Sequence, residues 1–199
     1  DSSVVYLVLE DGTLSCLTTY RTEAVTAWCK LNTAGKFISA AVIGDNIYFC
    51  VERKNGWFIE KFVDDYYSDC SLRLTSETPQ RDWSGLEHLE GEEVVVLANG
   101  FSLGKFKVEE GEIHLLDEAD EIIAGLPYEH LIEPLPYMVE AERPYSPKAL
   151  RVIGARFRIL DSKSFCIDIG SGYFHYPLKR IHRDKIFDSP PLTYSGDVQ

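Results

Sequence analysis

Histidines are the first side chains to consider for chemistry, and this chain has five: His88, His114, His130, His175 and His182. None forms an HxH or HExxH pair, and the interval from His175 to His182 matches no ligand geometry on a strand. No metal site is expected, and each His is read as a surface or hydrogen-bonded structural residue. The cysteines, Cys16, Cys29, Cys50, Cys70 and Cys166, are odd in number and widely spaced. Without a CxxC pair, zinc ribbons and thioredoxin-like redox sites have no support. Cys16, Cys29 and Cys50 lie in apolar strand-like runs, where a free thiol behaves as a small buried hydrophobe. A reducing folding environment is expected, with one disulfide among the five left open.

Nucleophile and phosphate motifs are missing as well. There is no GxSxG elbow, no GxGxxG and no phosphate-binding loop. Gly170-Ser171-Gly172 is too short for a phosphate cradle and reads as a hairpin turn. Glu87, Glu90, Glu92 and Glu93, with Glu109, Glu110 and Glu112, could supply the two carboxylates of a glycosidase. That chemistry needs carboxyls facing across a cleft, one of them raised in pKa by burial. Beside Gly91 and Gly111, these residues read instead as hydrated turn residues. Arg151, Arg156, Arg158, Lys179, Arg180, Arg183 and Lys185 make the last third locally basic. They suit a nucleic-acid patch or, as the chain's acidity favours, pairing with the acidic surface of a neighbouring subunit. No catalytic, cofactor-binding or metal-binding residue is assigned, and a non-enzymatic protein is expected.

With 20 basic and 32 acidic residues the net charge is −12. Such a surface is poorly suited to gripping DNA or anionic lipid, which takes clustered Lys and Arg, but it suits a wall that DNA merely passes. No run approaches the roughly 18 apolar residues of a membrane span, and Asp1-Ser2-Ser3-Val4 lacks the plan of a signal peptide. The start without Met, and a loop-like Pro190–Gly196 stretch, read as a piece of a longer or processed protein.

The elements that must position any site are strands. Aromatic residues make up 12% of the chain and favour pleated, half-buried surfaces. Strands are expected at Val4–Leu9, Leu14–Thr19, Ala24–Leu31, Lys36–Ile43, Ile47–Arg53 and Trp57–Val63. Asp11-Gly12, Gly44-Asp45-Asn46 and Asn55-Gly56 are the turns between several of them. Ile47, Phe49 and Val51 alternate with Asn46, Tyr48, Cys50 and Glu52, the period of a strand with two unlike faces. Residues 1–70 are therefore expected to be an antiparallel meander resembling a propeller blade. Residues 64–92 read as a polar loop or boundary, broken by Pro79. Residues 71–199 are expected to form a small β-barrel or sandwich, with strands at Glu93–Ala98, Lys105–Val108, Glu112–Leu116 and Glu121–Gly125. An Asn99-Gly100 turn and an Asp117–Asp120 turn are expected within it. A Pro-rich crossover should occupy 126–147. Ala149–Leu160 reads as a strand with Ile153, Ala155, Phe157 and Ile159 on one face, although helical spacing is also satisfied. Phe165–Ile169 and Tyr173–Leu178 should make a last hairpin.

One longer pattern stands out. Gly85-Leu86-Glu87-His88-Leu89-Glu90-Gly91-Glu92-Glu93-Val94-Val95-Val96-Leu97-Ala98-Asn99-Gly100 is followed by Gly111-Glu112-Ile113-His114-Leu115 and then Gly125-Leu126-Pro127-Tyr128 through Pro136. Upstream lie Asp11-Gly12-Thr13-Leu14, Ala24 to Trp28, Glu52-Arg53 and Ile59-Glu60-Lys61-Phe62. In this order, over about residues 4–178, these segments resemble the tail nozzle (tail tubular protein B-type) family of short-tailed bacteriophages and prophages. Asn99 stands where that family has Asp, and Glu129-His130 where it has a small residue. The resemblance implies a virion structural protein of the distal tail tube, made in the host bacterial cytoplasm. It implies a homo-oligomeric ring joined to a tail adaptor protein, with DNA ejected through it and no tight binding. It also implies a propeller-like region upstream and further strands after Gly196. The alternative reading is a carbohydrate-binding or adhesion β module, for which exposure of Trp28, Trp57 or Trp83 in a shallow groove would be the signature.

Overall fold

The computed structural model describes residues 2–134, 153–178 and 193–199. The chain divides into two compact units, Asp1–His130 and Leu131–Gln199. The compositional change near residue 70 falls inside the first of these, at the start of a long strand. Among the described residues strand outweighs helix by 65% to 4%, so the mainly-β, antiparallel class read from the sequence holds.

The first unit begins with β1 (Ser2–Val8), β2 (Leu14–Tyr20) and β3 (Val25–Leu31), an antiparallel three-stranded sheet in that order. β4 (Lys36–Ile43), β5 (Asn46–Arg53) and β6 (Gly56–Lys61) form a second. All six strands were legible, but the meander divides after β3 into two sheets that share a core. Leu14, Cys16, Phe49 and Val51 are buried there, with Tyr6, Val8, Leu31, Phe37 and Ile47 packed around them. The face of β5 read from alternation is the buried one. Tyr6, Phe37 and Phe62 surround the Phe49 ring edge-on, at centroid distances of 5.8, 5.2 and 6.4 Å. This geometry suits the ring quadrupoles.

β7 (Asp69–Ser84), β8 (Glu93–Ala98), β9 (Phe101–Lys107) and β10 (Glu112–Leu126) form one sheet in the order β7-β10-β8-β9. Two expectations are overturned here. Most of the 64–92 segment is not a loop, since β7 occupies Asp69–Ser84 and runs through Pro79, while residues 64–68 and 85–92 carry no strand. Asp117–Asp120 is not a turn, since β10 runs through it. The register explains both. β10 carries surplus residues between His114 and Ala119, and β7 carries them between Thr75 and Gln80. The two irregularities compensate, so pairing resumes in step. Pro79 lies in the unpaired stretch of an edge strand, where its missing N–H costs no ladder bond. The local turn signals were real, but sheet pairing converted them into bulges. β9 likewise begins earlier than expected, directly after the Asn99-Gly100 turn, whose residues have φ of 48° and 80°.

No closed barrel exists among the described residues; this part is an open sheet. Its core holds Trp83, Leu86, Leu89, Val94, Val96, Val108, Ile113, Leu115 and Ile122. Leu86 and Leu89 enter through the short 3-10 turn Glu87–Leu89 and its preceding residue. β10 lies between β7 and β8, and Ile122 to Leu126 are all buried. At Gly125 the sheet comes too close for a side chain. A Cβ there would approach Ser68 Oγ to 2.6 Å, Ser71 Cβ to 2.8 Å and the Asp69 carbonyl to 2.9 Å. Gly125→Ala is expected to cost about 1–3 kcal/mol through overpacking. An unchanged urea midpoint would refute that tight approach.

In the second unit, β11 (Phe157–Ser162) pairs with β14 (Tyr194–Val198), and β12 (Ser164–Asp168) with β13 (Tyr173–Pro177). The β12–β13 hairpin is as expected. Of the expected Ala149–Leu160 element, the described part is strand rather than helix from Phe157 onward. Tyr194–Gly196, read as loop, is strand because it finds β11 as a partner. Residues 127–134 of the Pro-rich crossover carry no strand; the rest of it lies outside the described residues.

Candidate functional site

The most organised polar cluster surrounds Arg53. The alternation of β5 turns Ile47, Phe49 and Val51 inward, and Arg53 is next in that series, only 8% exposed. Its Nε and Nη2 grip Glu60 on β6, Nη2 reaching Oε2 at 2.7 Å. Its Nη2 and Nη1 grip Asp69, at 3.0 and 3.2 Å, and Nη1 also donates to the Ala34 carbonyl at 3.2 Å. Five acceptors thus meet the five donors of the guanidinium fork. Asp69 accepts further bonds from Thr33 Oγ1 at 2.7 Å and the Ala34 N–H at 3.0 Å.

Burial would push the Asp69 carboxyl up, but Arg53, Thr33 and the Ala34 N–H together hold it below the ordinary value. Burial first, then the Glu60 charge, pushes the neighbouring Cys70 thiol up to about 12. The cluster has opposite charges in contact and no spare donor on the guanidinium. It is built to clamp β5, β6, the 33–34 loop and the start of β7, rather than to move a proton. Sequence reasoning did not single this centre out. The signal was available: an Arg in phase with the apolar residues of its strand.

The acidic residues considered for glycosidase chemistry do not converge. Glu92 pairs with Lys54 at 2.9 Å, Glu93 with Lys105 at 2.6 Å and Glu109 with Lys107 at 2.9 Å. Glu90 accepts the N–H groups of Glu110 and Gly111 at 3.2 and 2.6 Å, tying two turns together. Glu87, Glu110 and Glu112 are exposed. Among the described residues no group of His, Cys, Asp and Glu could hold a metal. His114 contacts Asp82, His88 lies 3.4 Å from the Cys70 carbonyl and stacks edge-on with Phe58, and His130 lies against Tyr128. His175 faces Cys166 across the β12–β13 ladder, and His182 lies outside the described residues.

The thiols differ from expectation. Cys16 is buried, but Cys50 is half-buried and Cys29 is exposed, because β3 is an edge strand. Of the basic residues, Arg158 pairs within its own chain, with Asp197 at 2.8 Å, and Arg156 reaches Gln199 at 3.4 Å. Arg151, Lys179, Arg180, Arg183 and Lys185 lie outside the described residues. Gly170-Ser171-Gly172 is the hairpin turn, its two Gly N–H groups bonded to Asp168 Oδ1 at 2.7 and 3.2 Å.

Two surface features remain. Trp28 and Trp57 are 58% and 63% exposed, whereas Trp83 is buried. A hollow of about 260 Å³ is walled by residues that include Tyr67, Val95, Leu97, Ser102, Pro127 and Tyr128, with no carboxylate, imidazole or cation. Among the described residues, no helix is long and apolar enough to cross a membrane. The chain matches no protein-family model and no curated protein.

Proposed function

We propose that this chain is a structural part of the distal tail tube, or nozzle, of a short-tailed bacteriophage, acting without chemistry of its own. The observation that carries this reading is the ordered set of motif segments resembling that family. In support, those segments contribute to one core: Leu86, Leu89, Val94, Val96 and Ala98 from the first, Ile113 and Leu115 from the second, Leu126 from the third. A motif made of core positions specifies a scaffold rather than a reactive site. Of the polar residues between them, Glu92, Glu93 and His114 are tied in surface pairs.

The outer sheet faces also support assembly. Val5, Leu17 and Trp28 are cross-strand neighbours on the outside of the first sheet, with Val5 and Trp28 exposed. On the second sheet Ile43, Trp57 and Ile59 are 67%, 63% and 75% exposed. Apolar surface on this scale is what a subunit interface covers. The partners in this reading are further copies in a ring, an adaptor-type tail protein, and DNA that passes without being held.

The test is light scattering after gel filtration on the natural protein that carries this chain, alone and with its adaptor. A closed ring is expected in at least one of the two. Duplex DNA should be bound more weakly than about 1 μM near 0.15 M salt, since the net charge of −12 repels phosphate. A strict monomer that ignores the adaptor, or tight DNA binding, would defeat the proposal. Exposure of Trp28 and Trp57 favours a second reading, a carbohydrate-binding or adhesion module, because indole faces stack on sugar rings. Glycan-dependent quenching of their fluorescence, in a protein that forms no ring, would establish it.

A further inference from the structure

Cys16 and Cys29 face each other directly across the β2–β3 ladder, in the row Tyr6–Cys16–Cys29. Facing residues in an antiparallel ladder have Cα atoms about 4.5 or 5.5 Å apart, depending on the pair type. Either distance falls within the range a disulfide spans, roughly 4.4–6.8 Å. Opposed residues also project to the same face of the sheet. We propose that Cys16 and Cys29 form a reversible cross-strand disulfide that pins edge strand β3 to β2, with Cys29 as the thiol that meets the oxidant.

The Cys29 thiol opposite is one of the groups that raise the Cys16 thiol above its ordinary value, after burial. Their environments assign the order of events. Cys29 is exposed, on a strand whose residues 25–30 are all exposed, whereas Cys16 is 2% exposed in the core of the two small sheets. A dissolved disulfide therefore reaches Cys29 and not Cys16. No other Cys–Cys pairing is offered in register: Cys50 faces Ser39 and Ile59, Cys166 faces His175, and Cys70 has no Cys opposite it in the β7–β10 ladder. β3 has a ladder partner on one side only, and such strands fray first.

The oxidant is a small-molecule disulfide of the oxidised-glutathione class. The Cys29 thiolate attacks one of its sulfurs, the oxidant's S–S bond breaks, and one thiol leaves. A mixed disulfide remains on Cys29. The Cys16 thiolate then attacks Cys29 Sγ, the mixed S–S bond breaks, and the second thiol leaves. Two protein thiols give up two electrons and two protons, and the oxidant becomes two thiols. Burial, and then the neighbouring Cys29, push the Cys16 thiol up to about 11. The second step is therefore the slow one and accelerates as pH rises.

The folded chain is incubated with oxidised glutathione near pH 8, and its peptides are mapped by mass spectrometry without reduction. The expected product is a Cys16–Cys29 link that dithiothreitol removes, with the melting temperature about 6–12 °C above that of the reduced chain. Cys16→Ala should stop at a glutathione adduct on Cys29. Cys29→Ser, at an exposed site that does not threaten the fold, should show neither the link nor the temperature shift. Accumulation of the Cys29 adduct without the link, even near pH 9, would overturn the proposal. So would an equal temperature shift in Cys29→Ser, or a link joining either thiol to Cys50, Cys70 or Cys166.

Discussion

Arg53→Met should destabilise the first unit by about 3 kcal/mol, read as a lower urea midpoint, because it leaves two half-buried carboxylates without their counter-charge. Arg53 is the shared partner of Glu60 and Asp69, whose side chains are only 23% and 20% exposed. Methionine preserves much of the apolar stem but returns none of the hydrogen bonds. Neutralising the partners as well, in the triple variant Arg53→Met/Glu60→Gln/Asp69→Asn, should recover a good part of the loss, since no uncompensated charge then remains. If the triple variant is less stable than Arg53→Met alone, the penalty is not electrostatic and this account fails.

The pH dependence has a definite sign. The carboxyl of Asp69 is lowered below the ordinary 3.8 when folded. Its contribution is therefore full above the unfolded value and is lost as pH falls through the folded one. In Arg53→Met the burial of Asp69 is no longer offset by the guanidinium, so acid relieves a penalty instead of removing a benefit. The stability gap between the two proteins should narrow between pH 7 and about pH 3. A gap that is flat with pH would show that Asp69 does not feel Arg53.

Trp83→Ala should cost a further class of energy, about 3–5 kcal/mol, by leaving a cavity in the core of the four-stranded sheet. Trp83 is 2% exposed and faces Ile113 across the β7–β10 ladder. Among the described residues its buried Nε1 has no hydrogen-bond partner. Trp83→Phe removes that orphan donor while keeping an aromatic ring, so it should cost less than about 1.5 kcal/mol. The contrast between the two variants, measured by denaturation followed by circular dichroism, is the diagnostic. Equal losses would mean that the indole N–H, not ring volume, is what the site requires.

Much of the local structure was legible because it depends on neighbours in sequence. The β5 alternation of Ile47, Phe49 and Val51 marked the buried face, and Asn99-Gly100 and Gly170-Ser171-Gly172 marked their turns through backbone freedom. The same reasoning failed where a distant strand decides. Pro79 and Asp117–Asp120 carry strong breaker signals, yet both lie in strands, since compensating bulges let β7 and β10 stay paired. Cys29 has the same apolar context as Cys16, but only Cys16 is covered, because β2 is central in its sheet and β3 is an edge.

The sequence by itself thus determined the mainly-β class, most strand positions and the absence of familiar catalytic spacing, all of which follow from residue type and short-range period. Tertiary structure alone decided the division of the meander into two sheets, the convergence of Arg53, Glu60 and Asp69, and the meeting of Cys16 with Cys29. Those depend on which strands pair and in what register. That choice is made by the summed burial of whole faces, which no short window of residues contains.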